Sequence, residues 1–297
     1  MIDFTVSAPA SSANLGAGFD AVALALELRM TAHVREAASG ASEWTYSGAH
    51  APTHDGLRRC IERAIARIAP SPPPLSVALD NAIPLGGGLG SSAAARALGV
   101  AIGARLVDLP PPEEVLVRAV ALLEGHPDNA LAAWYGGAVI AAFGDDGLTV
   151  ARFAPPAVAA VLVVPEIVLS TAHARNLMPE TYAREDVVHN VQRAALLGAA
   201  LAAGRLDLLR AAVRDKLHQP YRASVILGLA EILELDDPAL VAIALSGAGP
   251  SVLALVHGDA QRIGELVAAV FARHGVRSAI LTPSLASTGL KVTSPEP

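Results

Sequence analysis

The stretch that most narrows the folds open to this chain is Ile83–Ala95, IPLGGGLGSSAAA. Glycines at 86, 87, 88 and 90 discourage a helix or a strand from running through it, because glycine loses the most backbone freedom on ordering. The chain must turn here, and the serines and alanines that follow open a helix, with Ser91 or Ser92 expected to cap a start at Ala93. Backbone without Cβ atoms lets a ligand come close and can direct successive N–H groups at it. A helix N-terminus adds about half a positive charge. Together these make an anion site. The lysine of a Walker-type loop is missing, since the chain has only Lys216 and Lys291 and neither follows a glycine run. GLGSSA (Gly88–Ala93) matches G-x-G-x-x-A, but it follows Pro84 and lies far from the first strand, where a dinucleotide fingerprint belongs. The loop offers amides, hydroxyls and a dipole, and the full positive charge for a triphosphate must come from a metal and arginines elsewhere.

Around this loop the periodicity reads as an α+β protein. Strand patterns fall at Phe4–Ser7, Ala21–Val34, Leu75–Leu79, Ala138–Phe143 and Val158–Val164, and helical ones at Gly56–Ile68, Ser92–Leu106, Pro112–Leu123 and Asp186–Leu201. Two long helical stretches are expected after Asp207 and after Tyr221. Strands follow at Ala242–Leu245 and Val252–Val256, then a helix at Ala260–Arg273 and a strand at Arg277–Leu281. Pro155-Pro156 interrupts two strand-like runs and marks a boundary, giving domains 1–156 and 157–297.

The composition excludes several classes. With a net charge of −6 and no basic stripe, a nucleic-acid partner is not expected. No apolar run approaches the roughly 20 residues of a membrane span. The first residues, MIDFTVSAPA, lack the basic region of a secretory signal, and Cys60, the sole cysteine, permits no intrachain disulfide. The expectation is a soluble cytoplasmic protein. Cys60 shares a helical face with Leu57, Ile61, Ala64 and Ile65 and reads as a core thiol.

Polar residues collect in a few places. Glu124, His126, Asp128 and Asn129 lie together in EGHPDN, without the second His or Cys that a zinc site needs. One carboxylate with phosphate oxygens and waters suits Mg²⁺, and this reading is preferred to the plainer one in which Asp128 merely caps the helix after Pro127. Asn14 and Asp20 flank two glycines in SSANLGAGFD, which reads as a ligand loop or as a simple turn. Arg175, Arg193 and Arg222 suit bidentate capture of a carboxylate or phosphate, or surface ion pairs. SGAGPS, Ser246–Ser251, reads alone as a tight connection.

Together these segments resemble the GHMP kinase superfamily, and within it the homoserine kinases. PASSANLGAGFD, IPLGGGLGSSAAA and SGAGPS are similar to the three superfamily signatures, in order. EGHPDN, LSTAHARNLMPE, DVVHNVQRAALLGAAL and DKLHQPYR are similar to segments of the homoserine kinases, so the resemblance spans Ser7 to Ser251. It implies a two-domain α+β fold, with an N-terminal domain like the second domain of ribosomal protein S5 and a ferredoxin-like C-terminal domain. It also implies ATP and Mg²⁺ as cofactors and L-homoserine as acceptor, in threonine biosynthesis, and a homodimer is compatible with it. Pro84, Leu85, Gly86, Gly87, Gly88, Leu89, Gly90, Ser91 and Ser92 would cradle the ATP phosphates. Glu124 and Ser91 would hold the metal. Asn14, Asp20, His126, Thr171, Arg175 and Arg222 would line the homoserine site, with Arg175 and Arg222 on its carboxylate and Asp20 on its ammonium. Asn129 stands where some superfamily members place a basic aspartate, so transfer without a dedicated base is expected, Asn129 or Asn14 orienting the hydroxyl. The alternatives are a kinase for another alcohol, such as mevalonate, and a non-catalytic nucleotide-binding relative.

Overall fold

The computed structural model describes residues 2–145 and 147–294. Its first half supplies six of the seven strands of a sheet covered by helices, the seventh coming from the end of the chain. The strands are β1 (Asp3–Asn14), β2 (Gly18–Glu36), β3 (Glu43–Ser47), β4 (Leu75–Asn81), β5 (Ala138–Gly144) and β6 (Gly147–Phe153). The helices are α1 (Gly56–Ile68), α2 (Ser91–Arg105), α3 (Glu113–Glu124) and α4 (Pro127–Tyr135). β2 is long enough to pair antiparallel with β1, with β4 and, through Val22–Leu24, with β5. α1 buries Leu57, Ile61, Ala64 and Ile65, the i, i+4, i+7, i+8 stripe of an amphipathic helix. α2 is buried nearly all round, and its alanines and glycines let it pass between α1 and β1.

The second half begins with β7 (Ala159–Pro165), just past Pro155-Pro156. It continues through α5 (Thr171–Asn176), α6 (Arg184–Ala203), α7 (Leu209–Ala212), α8 (Gln219–Arg222) and α9 (Leu229–Leu233). β8 (Leu240–Leu245), β9 (Val252–Val256), α10 (Ala260–Arg273) and β10 (Ser278–Leu281) follow, and β11 (Lys291–Thr293) ends the described chain. The four-stranded sheet runs β10-β7-β9-β8 with every pair antiparallel, the fourth-first-third-second strand order of a ferredoxin-like fold. Both of its faces are covered. Ala160, Leu162, Leu253 and Leu255 join the core shared with the first sheet, while Val161, Val163, Val252 and Ala254 pack with Val267 and Phe271 of α10. Burial on both faces explains why these strands read as unbroken apolar runs.

Three observations differ from the sequence reading. β11 returns to pair with Thr5–Ser7 of β1, so the last strand crosses back over the boundary placed at 156. Asp207 and Tyr221 are not followed by long helices, only by a 3₁₀ turn at Leu206–Leu208 and the short α7, α8 and α9. The Asp215 carboxylate accepts from the backbone N–H groups of Leu217, His218 and Gln219, and Pro220 has no N–H to give, so a continuous helix loses to side-chain-to-backbone bonds. Finally, neither Ser91 nor Ser92 caps α2. The helix starts at Ser91 behind Gly90, whose φ is 69°, with no side-chain cap.

Candidate active site

The glycine run forms a turn of alternating hand, with φ of 70° at Gly86, 75° at Gly88 and 69° at Gly90. Residues that alternate between left- and right-handed backbone turn their N–H groups toward one concavity, an anion-binding arrangement, and the N-terminus of α2 closes it. Gly88 is tightly enclosed. A Cβ there would lie 2.2 Å from the Ser246 carbonyl oxygen and 2.8 Å from the Gly249 nitrogen. The loop is thus packed against SGAGPS, and Ser246 Oγ donates to the Gly88 carbonyl at 2.9 Å. That motif, an ordinary connection in the sequence reading, is the backing of the glycine turn.

The turn opens into a cleft of about 280 Å³. Gly86, Gly88, Leu89, Gly90, Ser91 and Ser92 line one end, with Glu124 beside them. Asn14, Asp20, His126, Asn129, Thr171, Arg175 and Arg222 line the rest, so one cavity gathers residues scattered along most of the chain. Pro84, Leu85 and Gly87 do not line it. Gly87 instead accepts at its carbonyl from the Ser251 N–H at 3.2 Å. Arg193 also lies outside the cleft lining.

At the acceptor end the side chains are fixed from behind. Asn14 is buried, with a φ of 70°. Its Nδ2 donates to the Gly247 carbonyl at 2.9 Å and its Oδ1 accepts from the Asp20 N–H at 3.0 Å. Asn14 therefore serves as a brace, both ends of its amide being bonded to backbone. Asn129 differs, because Ser11 Oγ donates to its Oδ1 at 2.7 Å and leaves Nδ2 for the cleft. Asp128 does not cap α4. His126 is the N-cap residue, and Asp128 Oδ1 is 2.8 Å from His126 Nδ1 and accepts from the Asn129 N–H at 2.7 Å. Ligand atoms of Asp20, His126 and Asp128 lie within 4.8 Å of one another.

The two arginines are held unequally. Arg175 donates to both Asp20 carboxylate oxygens at 2.8 Å. Arg222 is 2% exposed, and it bonds His218 Nδ1 at 2.9 Å, the Gly247 carbonyl at 2.9 Å and the Ala174 carbonyl at 3.4 Å. Burial and the nearby Arg175 charge bring the Arg222 guanidinium down to about 10, so it stays charged at neutral pH. His218, buried against it, is lowered to about 4, chiefly by burial. The hydrogen bonds agree with a neutral ring, whose Nε2 donates to the Gly16 carbonyl at 2.8 Å while Nδ1 accepts from Arg222.

Glu124 Oε2 accepts from Ser92 Oγ at 3.1 Å and lies against the Arg96 guanidinium, while Oε1 is 3.8 Å from His126 Nε2. A buried carboxylate beside the serine hydroxyls at the head of α2 is a hard-oxygen donor set, and it fits Mg²⁺.

Two profiles match the sequence: that of the GHMP kinases N terminal domain over residues 57–137 and that of the GHMP kinases C terminal over residues 197–273. A homoserine kinase of Solibacter usitatus is 41% identical, covering 98% of this chain and 97% of the relative. One of Deinococcus radiodurans is 43% identical, covering 84% of this chain and 83% of the relative. The chain belongs to the homoserine kinase family of the GHMP kinases. The crystal structure of a homoserine kinase from Cytophaga hutchinsonii superposes with a TM-score of 0.81 at 25% identity, over 98% of this chain and 97% of that one. The phosphomevalonate kinase of Streptococcus pneumoniae, with a TM-score of 0.64 at 15% identity over 95% of this chain and all (100%) of that one, shares the fold. As a member of this kinase family the chain is an ATP-dependent enzyme.

One cleft residue of this homoserine kinase family member, Phe19, and two residues that hold cleft side chains, Arg96 and Ser11, escaped the sequence reading. Phe19 lies 5.4 Å from the Arg175 guanidinium, 5.6 Å from that of Arg222 and 5.2 Å from the His218 ring. As an aromatic directly before Asp20 in a run of small residues, it carried a usable signal. Arg96 carried a weaker one, as the single charge between Ser92 and Arg105 on α2. Ser11 had none, since only the fold brings it to Asn129.

Proposed function

We propose that this enzyme transfers the γ-phosphate of ATP to the side-chain hydroxyl of L-homoserine, giving O-phospho-L-homoserine and ADP. The observation that carries the reading is a single cleft with two kinds of wall: a glycine turn at a helix N-terminus and a matched carboxylate–guanidinium pair. A zwitterion suits that pair. Its ammonium would replace Arg175 on Asp20, with Asp128 and His126 adding acceptor character beside it, and its carboxylate would take the freed Arg175. One ion pair is exchanged for two, so neither member of this half-buried pair is left without a partner. Arg222, still charged, adds positive potential from behind Phe19. Thr171 stands at the first position of α5, where Ser170 is the N-cap and its Oγ accepts from the His173 N–H at 3.1 Å.

The amides of Gly86 and of Gly88 to Ser92 would take the phosphate oxygens. Glu124 and Ser91 would hold Mg²⁺, which when bound neutralises charge on the β- and γ-phosphates. The Asn129 Nδ2 donor would fix the acceptor oxygen in line with the γ-phosphorus. A bond forms between that oxygen and phosphorus as the bond to the β-phosphate oxygen breaks, and the hydroxyl proton leaves to the transferred phosphoryl group or to solvent. Positioning and charge neutralisation carry such transfers. We assign ATP binding to residues 1–156, with 157–297 completing the acceptor site, and place the enzyme in the cytoplasm, a location that its lone cysteine supports. A coupled ADP-release assay with L-homoserine and mevalonate tests the reading. Turnover on homoserine alone is expected, and turnover on mevalonate alone would overturn it.

A further inference from the structure

A second cavity, of about 340 Å³, lies on the far side of α8 and shares no lining residue with the cleft. Its volume falls in the range of small-ligand sites, about 300–1,000 Å³. Val213, Pro220, Ala223, Leu233 and Ile243 give it an apolar floor. Most of its charged groups are already used. Asp215 is bonded to the N–H groups of Leu217, His218 and Gln219 and to Asn190. Lys216 is paired with Asp186 at 2.8 Å, and Arg210 with Asp236 at 2.8 Å. Arg214 is held most loosely: its ion pair with Glu234, which also lines the cavity, spans 3.7 Å, beyond hydrogen-bond distance, so an incoming carboxylate can compete for it. On the wall, His189 Nε2 is buried with no hydrogen-bond partner among the described residues. Gln219 is 3% exposed and spends its Oε1 on the Leu245 N–H at 2.8 Å, which leaves its Nε2 to whatever lies beside it.

We propose that this cavity is a second small-molecule site, for a monocarboxylate with a branched apolar body, and that its occupancy is felt at the acceptor site. Arg214 at the rim supplies the charge for the carboxylate, and the floor matches an apolar body that an inorganic anion would leave unused. The coupling is built into the chain. Gln219, Pro220 and Ala223 form the cavity wall, while the same turn sends Arg222 into the cleft and His218 against the Gly16 carbonyl. A ligand that shifts the wall shifts Arg222. This second half rests on the cleft being the acceptor site; the binding itself does not.

The test titrates isovalerate, and isovaleramide as its uncharged counterpart, into the full chain, followed by ¹⁵N NMR and by kinetics. Isovalerate is expected to bind, with at least about tenfold weaker binding for the amide and for Arg214→Ala, as loss of a charged hydrogen bond gives. At saturation the KM for homoserine should shift by about fivefold or more, within the 5- to 150-fold range of coupled sites, with kcat changing less. Without isovalerate, Arg214→Ala should keep the parent kcat and KM. Ala223→Leu should abolish isovalerate binding while the chain keeps its circular dichroism spectrum. Absence of binding, equal binding of the amide, unchanged binding to Arg214→Ala, or simple competition with homoserine would overturn the site. Binding without any change in KM would overturn the coupling. Failure to phosphorylate homoserine without isovalerate would fault the kinase reading and leave the NMR result standing.

Discussion

Among single residues, Asn129 and Gly88 are the ones whose replacement should show most in turnover and in stability. With its Oδ1 held by Ser11, Asn129 has Nδ2 left to orient the acceptor. Asn129→Asp trades that donor for a negative charge beside the phosphates, and kcat should fall about 100-fold, the usual loss for one preorganised donor. Ser11→Ala frees the amide to rotate and should lower kcat by about tenfold with little effect on the KM for ATP. Steady-state kinetics on both variants checks this. Unchanged turnover in Asn129→Asp together with loss of binding alone in Asn129→Ala would remove the positioning role. For the glycine turn, Gly88→Ala drives a Cβ into the Ser246 carbonyl and should cost about 2 kcal/mol or more in urea unfolding. Gly86→Ala meets nothing within 4 Å, so only the left-handed backbone is penalised, by about 1 kcal/mol. Equal losses would mean that SGAGPS does not back the loop.

At the scale of elements, the segment from Asp215 to Arg222 is a hydrogen-bonded unit. Burial pushes the Asp215 carboxyl up, but the His218 interaction and the donors from Gln219, Leu217 and Asn190 outweigh it and hold the group below its ordinary value. His218 is lowered from 6.5 to about 4. Between those two values the unfolded chain binds a proton that the folded chain refuses, so stability is full above pH 6.5 and declines as the pH drops toward 4. Urea unfolding across that window should show the decline in the parent, and His218→Gln should flatten it from pH 6.5 to 5, above most carboxylate titrations. This unit also explains what could be read beforehand. α1 and α10 follow a regular apolar period and were legible to the residue, as was β9 from its unbroken apolar run, while β8 begins two residues before the expected Ala242. α7 to α9 were not, because the apolar residues Leu209, Ile226 and Ile232 keep a helical look while Asp215 and Pro220 break the backbone between them. In the cleft, side chains within a quoted motif were legible and their partners were not. Glu124 showed in EGHPDN, whereas its contacts with Ser92 and Arg96 exist only once α2 and α3 are packed together.

At the scale of the whole molecule, the cleft is a joint product of the two sheets. β1 leads into the Asn14–Asp20 turn, α2 presents the glycine loop, and the connection between β8 and β9 closes over both through Gly247 and Gly249. Because Asp20 and Arg175 start paired, an acceptor must bring both charges to exchange with them. An acceptor bearing only one charge would leave Asp20 or Arg175 without a partner. The most direct measurement is therefore kcat/KM for L-homoserine beside 3-aminopropanol, which lacks the carboxylate, and 4-hydroxybutyrate, which lacks the ammonium. Homoserine should exceed each by about tenfold or more, the cost of one lost charged hydrogen bond. Equal kcat/KM for homoserine and either analogue would contradict the exchange of one ion pair for two, and with it the reading of this cleft as a site for a zwitterion.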